Sequence, residues 1–141
     1  MITSDKQYIA AKEQLNLLMQ SLSEPIKKDV PAVVQAAAKS QVNELIAEIK
    51  SKIDEYSKLV KNHNDDVIIE IHSLDDLLVA PIRYRLANHM SIEVFGRKVG
   101  ISARQIARYE KEEYKNITTS TLQKILGNLD IHIDGKIAMA A

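Results

Sequence analysis

The sequence predicts a mainly α-helical protein, and three observations support this. In two long stretches of the N-terminal half, apolar residues recur at alternating spacings of three and four, the period of an amphipathic helix. Residues 91–110 have the pattern of two short helices joined by a tight turn. Two short segments, 67–71 and 131–133, are rich in β-branched residues, which predicts a small antiparallel sheet in addition.

The first helix is predicted to begin at Ser4. Gln7 follows three residues later, which is the pattern of a capping box, where two side chains bind backbone N–H groups at a helix start. The helix then carries one apolar stripe, formed by Tyr8, Ala11, Leu15, Leu18 and Leu22. Two prolines between residues 23 and 31 interrupt this pattern.

The second helix is predicted to run to about Lys61. Its apolar stripe consists of Val42, Ile46, Ile49, Ile53, Tyr56 and Val60. Residues 1–61 are therefore predicted to form a helical hairpin that serves dimerisation or partner binding. The two stripes fit packing within one chain and packing against a second subunit equally well.

The predicted sheet draws on two separate parts of the chain. Residues 62–72 are predicted to be a polar turn, Asn62 to Asp66, followed by a strand, Val67 to Ile71. Residues 130–141 are predicted to be a strand or hairpin and a tail, because Asp134-Gly135 is a hairpin-turn dipeptide. These strands can pair with each other, since a lone strand leaves its backbone groups unpaired.

Residues 73–129 are predicted to form a small domain. Ser73 with Asp76 indicates a capped turn, and Pro81 lies near the start of a helix whose inner face carries Ile82 and Leu86. Glu112 to Asn116 is predicted to be a polar loop. Thr118 or Thr119 can cap a closing helix, which carries Leu122, Ile125, Leu126 and Leu129 at helical spacing.

At the centre of this domain, two helices have the spacing to bury a shared apolar seam, made of Phe95, Val99, Ile101, Ile106 and Tyr109. Gly96 within a helix costs roughly 1 kcal/mol relative to Ala, so we expect the two helix backbones to approach closely there. Gly100 lies where a left-handed conformation is most often required. Ser102 is the N-cap candidate of the second helix.

The run S-A-R-Q-I-A-R-Y-E at Ser102 to Glu110 resembles the XRE family of helix-turn-helix regulators, the group of the Cro and lambda-type phage repressors. The resemblance extends from roughly Ser73 to Leu129 and implies a lambda-repressor-like fold. It also implies that the second helix enters the major groove of double-stranded DNA, with Ala103, Arg104, Gln105 and Arg108 facing the bases. Arg and Gln suit this role because each forms two parallel hydrogen bonds with guanine or adenine.

The same resemblance implies a structural brace between Arg85 and Glu110. The family usually has Gln near the start of the first motif helix, where it contacts a phosphate, and this chain has Ile92 instead. Ser91 can cap that helix and bind phosphate itself. The remaining candidates for DNA contact are Ser102, Lys115 and Thr118.

The order of the elements carries a second resemblance. A helical hairpin, a strand and an XRE-like domain in that order are similar to antitoxin-associated regulators of the HigA kind. This arrangement implies a toxin protein as a further partner.

Charge is unevenly distributed along the chain, although the formal net charge is zero. Residues 1–79 carry a net charge of −4, residues 80–127 carry +5, and the remainder carries −1. The positive excess thus coincides with the predicted DNA-binding segment, as a phosphate-binding surface requires.

Several functional classes lack support in the sequence. The chain has no cysteine, which excludes disulfides and thiolate metal sites, and His63, His72, His89 and His132 lack metal-site spacing. The acidic pairs at residues 65–66 and 75–76 have the pattern of turn and helix-start residues. No phosphate loop or nucleophile elbow is present, so neither a cofactor nor an enzyme is predicted. No apolar run approaches the roughly 20 residues of a membrane span, and the N-terminus lacks a signal-peptide pattern, which predicts a soluble, cytoplasmic protein without a membrane partner.

Two functions fit these observations. The first is a sequence-specific transcriptional regulator, a repressor that binds DNA as a homodimer and can be the antitoxin of a toxin-antitoxin pair. The alternative is a protein-interaction module that neutralises a partner through its N-terminal helices, with DNA binding secondary. The two are compatible, because an antitoxin can do both.

Overall fold

A computed structural model describes residues 1–25, 29–61 and 67–141. Within these residues the chain forms seven helices: α1 (Asp5–Leu22), α2 (Ala32–Val60), α3 (Leu74–Leu78), α4 (Ala80–Ala87), α5 (Ile92–Val99), α6 (Ala103–Lys111) and α7 (Thr119–Gly127). They divide into two compact units, Met1–Leu59 and Val60–Ala141. In the described ranges, no helix combines the length and apolar character needed to cross a membrane.

The first unit begins with a capped helix. The Ser4 hydroxyl accepts a hydrogen bond from the Gln7 N–H at 3.2 Å, as the capping-box pattern predicts. The Gln7 side chain accepts from the Thr3 N–H at 2.8 Å, which is one residue earlier than the reciprocal bond of a standard box. Hydrogen bonds from the residues on both sides of Ser4 therefore stabilise the start of α1.

The predicted helical hairpin is confirmed, and it packs within one chain. The Tyr56 hydroxyl donates a 2.6 Å hydrogen bond to Asp5, and the Tyr8 and Tyr56 ring centroids lie 5.2 Å apart. The start of α1 thus lies beside the end of α2, so the two helices run antiparallel. All members of the two predicted stripes are buried or half-buried, but only residues of α2 are fully buried.

The second unit, Val60–Ala141, is built around apolar residues from four helices and one loop. Ile82, Phe95, Val99, Ile106 and Ile125 are fully buried, together with Tyr114 from the segment after α6. Leu122 and Leu126 are half-buried beside Ile125 on α7. The apolar spacing read from the sequence thus marks the inner faces of α4 to α7 correctly.

Hydroxyl caps set where three of these helices begin. Ser91, Ser102 and Thr118 each accept a hydrogen bond from the backbone N–H three residues later, at 3.1 to 3.3 Å. Each cap satisfies an N–H group that has no partner inside its helix, a contribution of typically about 1 kcal/mol.

Two glycines allow the turn between α5 and α6. Gly100 has a φ of 73°, the left-handed region in which a side chain is strained. At Gly96 the two backbones meet: the Ile101 N–H donates to the Gly96 carbonyl at 2.9 Å. A Cβ atom at Gly96 would lie 2.5 Å from the Ile101 carbonyl oxygen, so a larger residue would push the two helices apart.

A buried ion pair joins α4 to the end of α6. The Arg85 Nε and Nη2 atoms donate to the two Glu110 carboxylate oxygens, both at 2.7 Å, and Nη1 donates to the Met90 carbonyl at 3.0 Å. Both residues are only 6% exposed. The guanidinium therefore has a partner on each of its three nitrogens, and the carboxylate is bound at both oxygens.

Tyr114 holds the loop that follows α6. It is fully buried with a φ of 60°, and its N–H donates to the Tyr109 carbonyl at 2.8 Å. Its ring stacks on Tyr109 with centroids 5.6 Å apart. Burial raises the pKa of Tyr114, so the hydroxyl stays protonated, and it has no hydrogen-bond partner among the described residues.

The predicted antiparallel sheet is wrong: the described residues contain no strand. Val67–Ile71 and residues 130–133 have no regular secondary structure; they border the same cleft, and no backbone hydrogen bond joins them. The predicted hairpin at Asp134-Gly135 is also absent, because only Gly100 among the described glycines has the positive φ that a tight hairpin turn requires. Alternation identifies residues that can lie extended, whereas pairing needs a backbone partner, and segments this short are marginal without one. The predicted turn Asn62 to Asp66, with His63, lies outside the described residues.

Replacing Gly96 with Ala should destabilise the second unit by about 1–3 kcal/mol, because the new methyl group meets backbone and not a movable side chain. Gly127→Ala is the matched control, since nothing lies within 4 Å of its Cβ position. The control should be neutral or up to about 1 kcal/mol more stable, because Ala favours helix. Equilibrium urea unfolding measures both, and equal midpoints for the two variants would contradict a close helix approach.

Glu110→Gln should cost about 3–5 kcal/mol of unfolding free energy, because it leaves the Arg85 charge buried without a counter-charge. Tyr114→Phe is a control that also alters one buried polar group. It should cause no loss of stability, since the hydroxyl that it removes makes no hydrogen bond in the described structure. Urea midpoints compare the two, and a Glu110→Gln variant as stable as Tyr114→Phe would argue against the brace.

Candidate nucleic-acid interface

Helix α6 separates a buried face from a strongly cationic one. Ile106 and Glu110 face the interior, and the opposite side consists of four exposed residues, Arg104, Ala107, Arg108 and Lys111. We call these four residues the α6 stripe. Their spacing of three, four and seven places them on one side of the helix, so three cations surround one small methyl group.

The chemistry of the α6 stripe suits the major groove of DNA. An exposed helix of nine residues fits the groove width of about 12 Å, and Arg can donate two parallel bonds to a guanine edge. The Ala107 methyl group is small enough to let the backbone approach and can contact a thymine methyl. Lys111, a point charge in the last turn, suits a phosphate.

Ala103 and Gln105 lie at the margin of this face. Both are half-buried, whereas Arg104 between them is exposed. The Gln105 N–H is bound by the Ser102 cap, which fixes the start of the helix but leaves the Gln105 amide to other partners. The structure thus places two of the four predicted base-facing residues, Arg104 and Arg108, on the open side of the helix.

Arg108 is oriented by its neighbours. Its guanidinium carbon lies 5.7 Å from the Tyr109 ring centroid, within the range of a cation–π contact, and Tyr109 stacks on the buried Tyr114. This contact positions the side chain before any ligand is present, which reduces the entropy lost on binding.

Two of the predicted DNA contacts, Ser91 and Ser102, are exposed capping residues. Ser91 and Ser102 lie at the starts of α5 and α6, where unpaired backbone N–H groups favour anions. Ile92, at the position where the family has Gln, is half-buried. Its side chain is therefore used in packing.

Thr118 and Lys115 already have partners within the protein. The Thr118 hydroxyl donates to the Thr121 hydroxyl at 2.8 Å, so a phosphate contact would have to replace this bond. The Lys115 ammonium lies 4.0 Å from the Glu113 carboxylate. Their role in DNA contact stays a prediction.

Four cationic residues on α5, α6 and α7 were not among the DNA-contact candidates predicted from the sequence: Arg97, Lys98, Lys111 and Lys124. Lys111 could have been found from its spacing, because it lies seven residues after Arg104 on one helix. Arg97 and Lys98 are exposed in the last turn of α5 and contribute to the positive excess of residues 80–127. Lys124 is placed by tertiary structure alone: its Nζ donates to the Gly100 carbonyl at 3.3 Å, beside the turn.

The acidic and histidine side chains do not assemble into a second kind of site. Within residues 1–25, 29–61 and 67–141, no group of three or more potential ligands is placed to hold a metal ion. His72 lies 3.1 Å from Glu70 on the surface. Asp75 and Asp76 are in the first turn of α3, and the His72 N–H bonded to the Asp76 carboxylate lowers the pKa of that group.

Comparison with known proteins finds similarity in one part of the chain. A helix-turn-helix family model matches residues 82–136, from α4 through α7 to the extended segment beyond it. No curated protein and no solved structure matches the chain. The resemblance to HigA-type antitoxins therefore rests on the order of the elements alone. Residues 82–136, about two-fifths of the chain, are thus similar to a helix-turn-helix family, and this match supports a role in DNA-binding transcription regulation.

Proposed function

We propose that the protein is a sequence-specific transcriptional repressor that reads the major groove with α6. The observation that carries this proposal is the α6 stripe, an exposed row of Arg104, Ala107, Arg108 and Lys111 on a helix whose other face is buried. A helix used only for packing would not require three cations on one open side, where like charges repel.

The position of each side chain along α6 indicates whether it would contact a base or a phosphate. In helix-turn-helix proteins the N-terminal residues of the second helix contact base edges. Arg104 is the second residue of α6, and we assign it to a guanine. Arg108 lies one turn further along beside Tyr109, where it can reach a base or a phosphate, and Lys111 is assigned to a phosphate.

Phosphate contacts on either side would set the register of the domain on DNA. The starts of α5 and α6, capped by Ser91 and Ser102, offer backbone N–H groups, and Arg97 and Lys98 add charge at the end of α5. Such contacts carry no sequence information, but they contribute most of the salt-dependent affinity.

The repressor would act as a homodimer on a two-fold symmetric operator. One α6 reads only a few base pairs, and two copies related by a two-fold axis read half-sites about one helical turn apart. Binding of such a dimer at a promoter would exclude polymerase, which is the simplest route to repression.

The first unit supports a second activity, binding of a partner protein such as the toxin of a toxin-antitoxin pair. The hairpin keeps large apolar side chains on its outer surface: Leu17 is 66% exposed and Val33 is 81% exposed, and Ile9, Val34 and Leu45 are about half exposed. Helix α1 has no fully buried residue. Apolar residues exposed on both helices suit an interface that excludes charged residues from its core.

Arg104→Ala should weaken binding to the operator by about 1–3 kcal/mol and binding to random duplex by less, because a bidentate base contact is lost. The operator is first obtained by selection from a random duplex library, and both affinities are then titrated at several salt concentrations. Arg104→Lys, which keeps the charge, should restore non-specific binding but not discrimination. Lys50→Ala on α2 is the control for loss of an exposed charge. Equal losses on all sequences would remove Arg104 from base readout.

Val33→Asp should abolish binding of a toxin encoded beside this gene, because it places a charge in the proposed apolar interface. Co-expression and copurification of the two proteins provide the measurement. Gln41→Asp adds the same charge at an exposed polar position of α2 and should leave the complex intact. Both variants should bind DNA as the unmodified protein does. A complex that survives both substitutions would place the partner elsewhere.

A further inference from the structure

A cleft of about 480 Å³ lies within the Val60–Ala141 unit, and no residue of the α6 stripe lines it. One face of α4, including Arg83 and Tyr84, forms one side. The other sides are two segments outside the helices, Val67–Ile71 and residues 130–133. The volume falls within the range of binding sites in proteins, and none of the predicted DNA-contact residues lines the cleft.

The Val67–Ile71 wall of the cleft has the period of a strand. Val67, Ile69 and Ile71 line it, whereas Ile68 between them is 90% exposed. Alternate side chains of this segment therefore face the cleft, as they would on one face of a sheet. Ile131 and Ile133 provide apolar side chains on the other segment.

The backbones of the two segments have unused hydrogen-bonding capacity. No backbone hydrogen bond joins Val67–Ile71 to residues 130–133 in the part of the chain that the structure describes. Extended segments with free N–H and C=O groups accept an added strand, with backbone bonds for affinity and alternate side chains for specificity. This favours an extended polypeptide as the occupant over a compact small molecule.

We propose that the occupant is residues 135–141 of a second copy of this chain. This segment has no regular secondary structure and is exposed, with Ile137 at 88% and Met139 at 84% exposure, and these two side chains would lie on the same side of the segment in a strand. The charged side chains that line the cleft, leaving out His132, are Arg83, Asp76 and Asp130 and sum to −1, and the one charged side chain of the segment is Lys136. Its apolar period and its charge both complement the cleft.

In this structure a chain does not place the segment in its own cleft. Residues 130–133 already form one wall, so residues 134–135 would have to reverse direction at once. A two-residue reversal needs positive φ values, and Gly135 does not have one. Exchange between two copies avoids this turn, and because each copy gives and receives one segment, the assembly closes as a two-fold dimer.

This inference rests on the proposed homodimer and specifies its interface. Reciprocal exchange would tie together the two helix-turn-helix domains through the segment that directly follows α7. The dimer contact would then lie in the same unit as the α6 stripe, and the helical hairpin would remain available to a partner protein.

Cysteine crosslinking tests the contact, because the chain has no native cysteine. Full-length Ile69→Cys and Ile137→Cys variants are mixed under mild oxidation, and a disulfide-linked heterodimer is expected. Ile68→Cys with Ile137→Cys is the matched control, since residue 68 points away from the cleft and should crosslink at least about tenfold less. Equal crosslinking at residues 68 and 69 would overturn the proposal, as would a bond formed within one chain in the Ile69→Cys/Ile137→Cys double variant.

Sedimentation of the uncrosslinked protein separates this inference from the proposed function. Ile137→Asp should raise the dimer dissociation constant at least about tenfold, since two apolar contacts are lost per dimer, whereas Ile68→Asp should not change it. A dimer unaffected by Ile137→Asp would overturn the exchange and leave the homodimer standing. A monomeric wild-type protein would overturn both. Affinity for a single half-site should be the same for all variants, which checks that the DNA-binding domain is intact.

Discussion

Two opposite charges, on Arg85 and Glu110, are buried together between α4 and the last turn of α6. The position of α6 in the domain depends on this ion pair. The bidentate geometry at 2.7 Å restrains orientation as well as distance, because a planar guanidinium meets a planar carboxylate. A buried pair of this kind is weak evidence for net stability, since desolvation offsets much of the attraction. Its effect here is one of placement: the end of α6 has one favourable position against α4.

The same constraint leaves the outer face of α6 available for binding. Gly96 lets the start of α6 lie against α5, Glu110 ties its end to α4, and the stacked Tyr109 and Tyr114 rings support the side next to Arg108. The inner face is thus fully occupied by packing and by one ion pair. A rigid helix loses little entropy on entering a groove, so the exposed cations can contribute to affinity and discrimination.

The two units expose apolar surface in different ways. The hairpin carries scattered apolar residues on the outside of packed helices, which fits a broad protein partner. The second unit concentrates its unpaired apolar residues along extended segments around one cleft, which fits a strand. The two surfaces use different secondary structure, so the proposed dimer and the proposed partner need not compete.

Local residue spacing in the sequence determined most of the structural features described above. These are the helical stripes, the hydroxyl caps, the two glycines of the turn and the exposed position of Arg104 and Arg108. These follow from helical periodicity and backbone sterics, which act over a few residues. The pairing of Arg85 with Glu110 also came from the sequence, but only through the resemblance to a family. Tertiary structure decided that Gln105 lies at the margin of the exposed face of α6, that Lys124 reaches Gly100, and that Val67–Ile71 and Ile131–Ile133 border a cleft without pairing. Whether an extended segment finds a partner depends on what is packed between it and the next one, and local alternation carries no information about that.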